Sequence, residues 1–149
     1  MKKKIYYWSP FFSNIATIRA VINSALSFKR FSNEFEPVII DVFGEWEAYE
    51  DLFIKNKILV KKLYLNNFFK RKKIHGYFLS RYYQIKIFIL AFFPLKNLLK
   101  KNNPDFIILH LVTSLPLFLN FLFSFKTKII LRISGLPKLN FIRLFFWNI

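Results

Sequence analysis

The sequence predicts an α/β fold in which a parallel sheet carries helices on both of its faces. Short apolar runs of strand length alternate with longer stretches of helical periodicity from one end of the chain to the other. An alternation of that kind builds crossover units rather than hairpins. The chain also has the size of one domain, 149 residues, and 54% of them are hydrophobic, enough to bury a core between helices and sheet. Three glycines, six prolines and no repeat or low-complexity tract leave little that reads as linker.

The elements follow in order. Lys4 to Trp8 reads as a first strand that runs into the polar turn Ser9-Pro10. Its basic start, Lys2-Lys3-Lys4, is shared with signal peptides, but the apolar run is too short and ends in Ser-Pro with no cleavage site. Ser13 or Asn14 is positioned to cap a helix in which Ile15, Ile18, Ile22, Ala25 and Leu26 recur at helical spacing. Lys29-Arg30 suits the helix C-terminus. Pro37 to Phe43 reads as a second strand closed by Gly44, and Ile58 to Tyr64 as a weaker third. A long helix is expected from Tyr77 to Lys101, with Ile85, Phe88, Ile89 and Phe92 on its apolar face and a kink or break at Pro94. Asp105 to His110 reads as a fourth strand, Leu115 to Phe123 as a buried helix and Lys128 to Ile133 as a fifth strand. Gly135-Leu136-Pro137 then turns the chain toward a last helix capped by Asn140.

Composition excludes several kinds of chemistry. Without cysteine there are no disulfides and no thiolates, and two histidines, His75 and His110, make a poor zinc site, so neither metal nor cofactor is expected. The net charge of +16 is unevenly spread. Seven of the eight acids lie between Glu34 and Asp51, the eighth is Asp105, and Leu52 to Pro104 contains none. Such a field selects an anionic partner, and no recognisable nucleic-acid module accompanies it. Lys70, Arg71, Lys72 and Lys73, flanked by Phe68, Phe69, Tyr77 and Phe78, form either a contact with an anionic membrane surface or a solvated loop. Phe106 to Phe125, free of Lys, Arg, Asp and Glu, has the length of a bilayer span. A small basic integral membrane protein spanning there is the alternative reading. A strand followed by a helix gives the same hydropathy, and Thr113-Ser114-Leu115-Pro116 punctuates the run like a loop opening a helix.

In a parallel sheet, ligands bind beyond the carboxyl ends of the strands, here the loops after Trp8, Phe43, His110 and Ile133. Ser13, Asn14 and Thr17, at a helix N-terminus, are candidates to hold a phosphate or a sugar hydroxyl, unless they only cap the helix. His110 either lines the ligand cleft or bonds a neighbouring loop. Arg132, followed by Ile133, Ser134 and Gly135, either turns its guanidinium into the cleft or lies along the sheet edge. No Gly-x-Gly-x-x-Gly, P-loop or Gly-x-Ser-x-Gly is present, and no set of residues completes a catalytic site.

Three segments resemble the N-terminal domain of family-4 retaining glycosyltransferases with the GT-B fold. They are the basic helix end, Pro-Asp and apolar strand of Leu98-Leu99-Lys100-Lys101-Asn102-Asn103-Pro104-Asp105-Phe106-Ile107-Ile108-Leu109-His110, the fifth strand and exit Lys128 to Gly135, and the opening strand, loop and helix up to Ala25. The resemblance spans nearly the whole chain. It departs at Pro10-Phe11-Phe12-Ser13-Asn14, where many relatives have a glycine-rich loop, and at Ile133-Ser134-Gly135, where many have a histidine. The resemblance implies that residues 1–149 are one Rossmann-like acceptor-side domain of a bacterial hexosyltransferase. Donor binding and the acidic residues that serve it would belong to a C-terminal domain absent from this sequence. It implies a nucleotide-sugar donor bound through that other domain, and a lipid-linked glycan acceptor, a precursor of lipopolysaccharide, capsule or exopolysaccharide. It further implies a peripheral place on the cytoplasmic face of the cell membrane, and no transfer by these residues alone.

Overall fold

A computed structural model describes residues 2–13, 15–63, 65 and 77–132. Its centre is a five-stranded sheet of β1 (Lys3–Trp8), β2 (Phe35–Asp41), β3 (Leu59–Lys62), β4 (Phe106–Leu109) and β5 (Lys128–Leu131), parallel throughout and ordered β3-β2-β1-β4-β5. The helices are α1 (Ala16–Phe31), α2 (Glu50–Lys55), α3 (Tyr77–Asn102) and α4 (Ser114–Phe123), and a short 3-10 turn, Glu47–Tyr49, precedes α2. The expected Rossmann-like α/β architecture is therefore the one observed.

The period of two along the strands sorts their side chains into two cores. Tyr6, Trp8, Val38, Ile40, Ile107 and Leu109 pack with Ile87, Ala91, Leu95 and Leu99 of α3 and with Leu115 and Leu119 of α4. On the opposite face, Ile5, Tyr7, Ile39 and Ile108 meet Ile18, Val21, Ile22 and Ala25 of α1, together with Trp46 and Phe53. The central strand β1 is buried on both faces, which is why it reads as a continuous apolar run. By contrast β3, at the sheet edge, is only half-buried, and its Lys61 and Lys62 guard an edge that would otherwise pair freely.

At the end of the sheet where the strands begin, Asp105 accepts a hydrogen bond from the Lys4 amide at 2.7 Å, and its carbonyl accepts one from the Lys128 amide at 2.9 Å. The one acid in the second half of the chain thus ties the starts of β1, β4 and β5 together, far from the ligand edge.

Five expectations need correction. The buried stripe of α3 is Ile87, Ala91, Leu95 and Leu99, whereas Ile85 and Ile89 face outward and Phe88 and Phe92 sit on its flank. Of the kink or break expected at Pro94, the break does not occur: α3 runs on through it, because Leu95 and Leu99 beyond it are locked into the core and outweigh one missing amide bond. The N-cap of α1 is Ile15, with no side-chain cap hydrogen bond, so Ser13 does not hold that position, and Asn14 lies outside the described residues. Phe106 to Phe125 is divided between β4, a loop and α4, and no helix among the described residues is long and apolar enough to cross a membrane. Nor is α4 a fully buried helix: Leu115, Pro116 and Leu119 are buried, while Leu117, Phe118, Phe121 and Leu122 are exposed.

Candidate functional site

The strand order reverses its direction of progress between β1 and β4, since the chain runs outward to β3 on one side and to β5 on the other. The connections leaving β1 and β4 therefore diverge to opposite faces and leave a crevice at the carboxyl edge, the usual ligand position in such sheets. The structure has a cleft there, formed by two adjoining lobes. The larger, about 510 Å³, is lined by Arg81, Gln84, Ile85 and Phe88 of α3 and by Val112, Thr113 and Ser114 ahead of α4. The smaller, about 200 Å³, is lined by Pro10 to Ser13 and Ile15 on one side and by Ser80, Gln84, Leu111 and Val112 on the other. Gln84 and Val112 belong to both lobes.

Aromatic anchors hold the cleft walls. In the β1 loop, Phe11 packs edge-on against Trp46 with ring centroids 4.8 Å apart. Its neighbour Phe12 stacks on Phe43 at 5.0 Å and lies 5.4 Å from Tyr83 of α3. Consecutive side chains thus enter opposite cores, and the loop is pinned from both sides. Across the cleft the Trp8 indole donates to the Val112 carbonyl at 3.0 Å, fixing the loop after β4, where Val112 itself takes a positive φ of 47°.

The turn after β2 supports Phe43. The Glu45 carboxylate accepts the Val42 and Phe43 amides, and Asp41 accepts the Gly44 amide at 2.7 Å. Gly44 has φ 93°, a conformation open to glycine without steric cost. Burial, together with a hydrogen bond to Asp41 and its charge, holds the Glu45 carboxyl well above the ordinary carboxylate range. The two side chains satisfy the turn's amides, a supporting role.

The sequence-derived candidates separate in space. Ser13 lines the smaller lobe, and Thr17 is half-buried in the first turn of α1 but lines neither lobe. His110 also lines neither. Its ring lies 6.3 Å from that of Tyr7, whose hydroxyl bonds Ser24, and its buried Nε2 has no hydrogen-bond partner among the described residues. Burial first, and then the charge of Arg132, lower the His110 pKa to about 4. The imidazole is neutral near pH 7 and is a poor proton carrier there. Arg132 is exposed and extends the sheet by donating its amide to the Leu109 carbonyl at 2.9 Å. Asn14, Ser134, Gly135 and the basic run Lys70, Arg71, Lys72 and Lys73 lie outside the described residues.

Arg81 and Gln84 were not foreseen. They lie on the first turns of α3, 3.1 Å apart through a guanidinium–amide hydrogen bond, and only the tertiary fold brings them to β1 and β4. The resulting wall offers hydroxyls, an amide, a cation and apolar surface, a set suited to a polar ligand with an anionic group. Among the described residues no group of three or more His, Cys, Asp or Glu is placed to hold a metal. Comparison with protein-family models, with curated proteins and with solved structures returns no match in any of the three.

Proposed function

We propose that this chain is the acceptor-side domain of a retaining hexosyltransferase that builds a bacterial cell-surface glycan. The observation carrying the reading is the cleft at the β1–β4 switch point, where Ser13, Ser80, Gln84, Thr113 and Ser114 offer hydroxyls and an amide beside the Arg81 guanidinium. Hydroxyls and amides match the hydrogen-bonding pattern of a sugar, and a guanidinium matches a phosphate. A phosphorylated, lipid-linked glycan precursor unites both groups with an apolar tail. In this reading the nucleotide-sugar donor is held by a second domain, and reaction takes place between the two. His110, neutral and off the cleft, carries no catalytic role. Contact with an anionic membrane through Lys70, Arg71, Lys72 and Lys73, on the inner face of the cell membrane, belongs to the same proposal.

The test is titration of isotope-labelled chain with a polyprenyl-diphosphate-linked monosaccharide in zwitterionic nanodiscs. The amides of Gln84, Thr113 and Ser114 are expected to shift, and Arg81→Ala to weaken the response about tenfold. A nucleotide sugar alone is expected to leave those amides in place. Shifts driven by the nucleotide sugar and not by the glycolipid would sink the proposal.

A further inference from the structure

The outward surface of the α3–α4 layer is apolar where a solvated surface is normally polar. On α3, Ile85, Ile89 and Phe93 recur every four residues opposite the buried stripe of Ile87, Ala91 and Leu95. Ile89 is 64% exposed and Phe93 65%, and on α4 Phe121 is 82% exposed. The rings of Phe88 and Phe118, 5.6 Å apart, bridge the two helices, so their outer faces join. Exposed apolar residues scattered singly need no account, but a contiguous patch marks an interaction surface.

The charge around this patch has one sign. Between Tyr77 and Asn102, α3 carries Arg81, Lys86, Lys96, Lys100 and Lys101 and no acid, and α4 carries no charged residue. The Lys96 ammonium lies 4.2 Å from the centroid of the Phe123 ring, a cation held at the patch rim. Seven of the eight acids belong to Glu34–Asp51, from just before β2 to the first turn of α2.

We infer that the outer face of α3 and α4 seats on an anionic lipid bilayer, its apolar side chains at the acyl boundary and its lysines among the phosphates. Apolar centre, basic rim and absent acids are what an interfacial helix uses. A second copy of this chain fits less well, because apposed copies of α3 would bring their cations together. Neither helix is long and apolar enough to cross, so both lie in the plane of the interface. Ile85 belongs both to this face and to the larger lobe of the cleft, so seating brings the cleft mouth to the headgroup level. That last consequence rests on the acceptor reading above; the seating itself does not.

Flotation of the full chain with phosphatidylglycerol–phosphatidylcholine vesicles, against phosphatidylcholine alone, tests it. Wild type is expected to float with the anionic vesicles. Ile89→Glu, Phe93→Glu and Phe121→Glu together are expected to reduce flotation at least about tenfold, with circular dichroism unchanged because all three side chains project into solvent. Lys96→Gln with Lys100→Gln offers a milder second variant, expected to lose the preference for anionic lipid. Ile54→Glu on α2, equally exposed but on the other layer, is expected to float like wild type. Equal flotation of the triple variant and wild type overturns the inference. So does a wild-type dimer in lipid-free sedimentation that the triple variant abolishes while still floating, which assigns the face to a second copy. Glycolipid shifts at Gln84 that survive in the triple variant leave the acceptor reading intact whichever way flotation falls.

Discussion

Replacing His110 with glutamine removes a titration whose size follows from its surroundings. The ring ends β4, half-buried against Tyr7, and its pKa falls from an ordinary 6.5 to about 4. A histidine whose folded pKa is depressed binds fewer protons folded than unfolded. Its contribution is therefore fully present above about pH 6.5 and drains away as pH falls toward 4. At about pH 4.5 a shift of that size corresponds to about 2.6 kcal/mol for a fully desolvated ring. Half exposure screens it to about 1.3 kcal/mol. Glu45 works in the opposite direction, since its raised carboxyl pKa favours the fold as pH falls. The informative quantity is thus the difference between wild type and His110→Gln, not either profile alone. Urea unfolding at about pH 7.5 and 4.5 should show wild type losing about 1–1.5 kcal/mol more than the variant. Proton NMR offers a direct check, because the chain has only two histidines and His75→Gln assigns them. Parallel stability profiles, or a His110 titration near 6.5, would refute the burial argument.

The same reasoning with the sign reversed applies to Glu45→Gln. An acid with a raised folded pKa costs stability as pH rises, so melting temperatures between about pH 5 and 8 should fall less in this variant than in wild type. Leu95→Ala empties a fully buried position between α3 and the sheet and is expected to cost about 2–5 kcal/mol in urea unfolding; a loss below about 1 would mean that α3 is not seated as described. Trp8→Phe keeps most of the apolar volume but leaves the Val112 carbonyl without its donor, for a loss of about 1–3 kcal/mol and faster hydrogen exchange at Thr113 and Ser114.

Strand positions were legible because β1, β2 and β4 are buried on both faces along residues 5–8, 38–40 and 107–109 and are apolar there, the pattern a parallel sheet writes into sequence. The facing of α3 was not, since this helix is apolar around most of its circumference and a periodicity search has no polar side to exclude. Only the tertiary structure distinguishes Ile87 from Ile89. The candidate site divides in the same way. Loops that leave strand ends point to themselves, and Ser13 was found so. Arg81 and Gln84 lie near the start of a helix more than sixty residues from the β1 loop, where nothing local marks them as cleft residues. His110 was picked for its place at a strand end, yet its ring belongs with Tyr7 rather than with either lobe.

The pairing of Phe11 with Trp46 and of Phe12 with Phe43 bears on how a ligand is received. A glycine-rich connection in this place would wander among many shapes and surrender that freedom each time a molecule docked, at about 1 kcal/mol or more per residue frozen. Here folding has already settled the matter, since two rings driven into opposite cores leave the intervening peptide little room to move. Association should then resemble a key meeting a finished lock, with rates limited by encounter and affinities that respond weakly to the stiffness of neighbouring segments. The corresponding loss is breadth: a wall that does not flex discriminates by shape, and ligands bulkier than the cleft are turned away at its rim rather than accommodated.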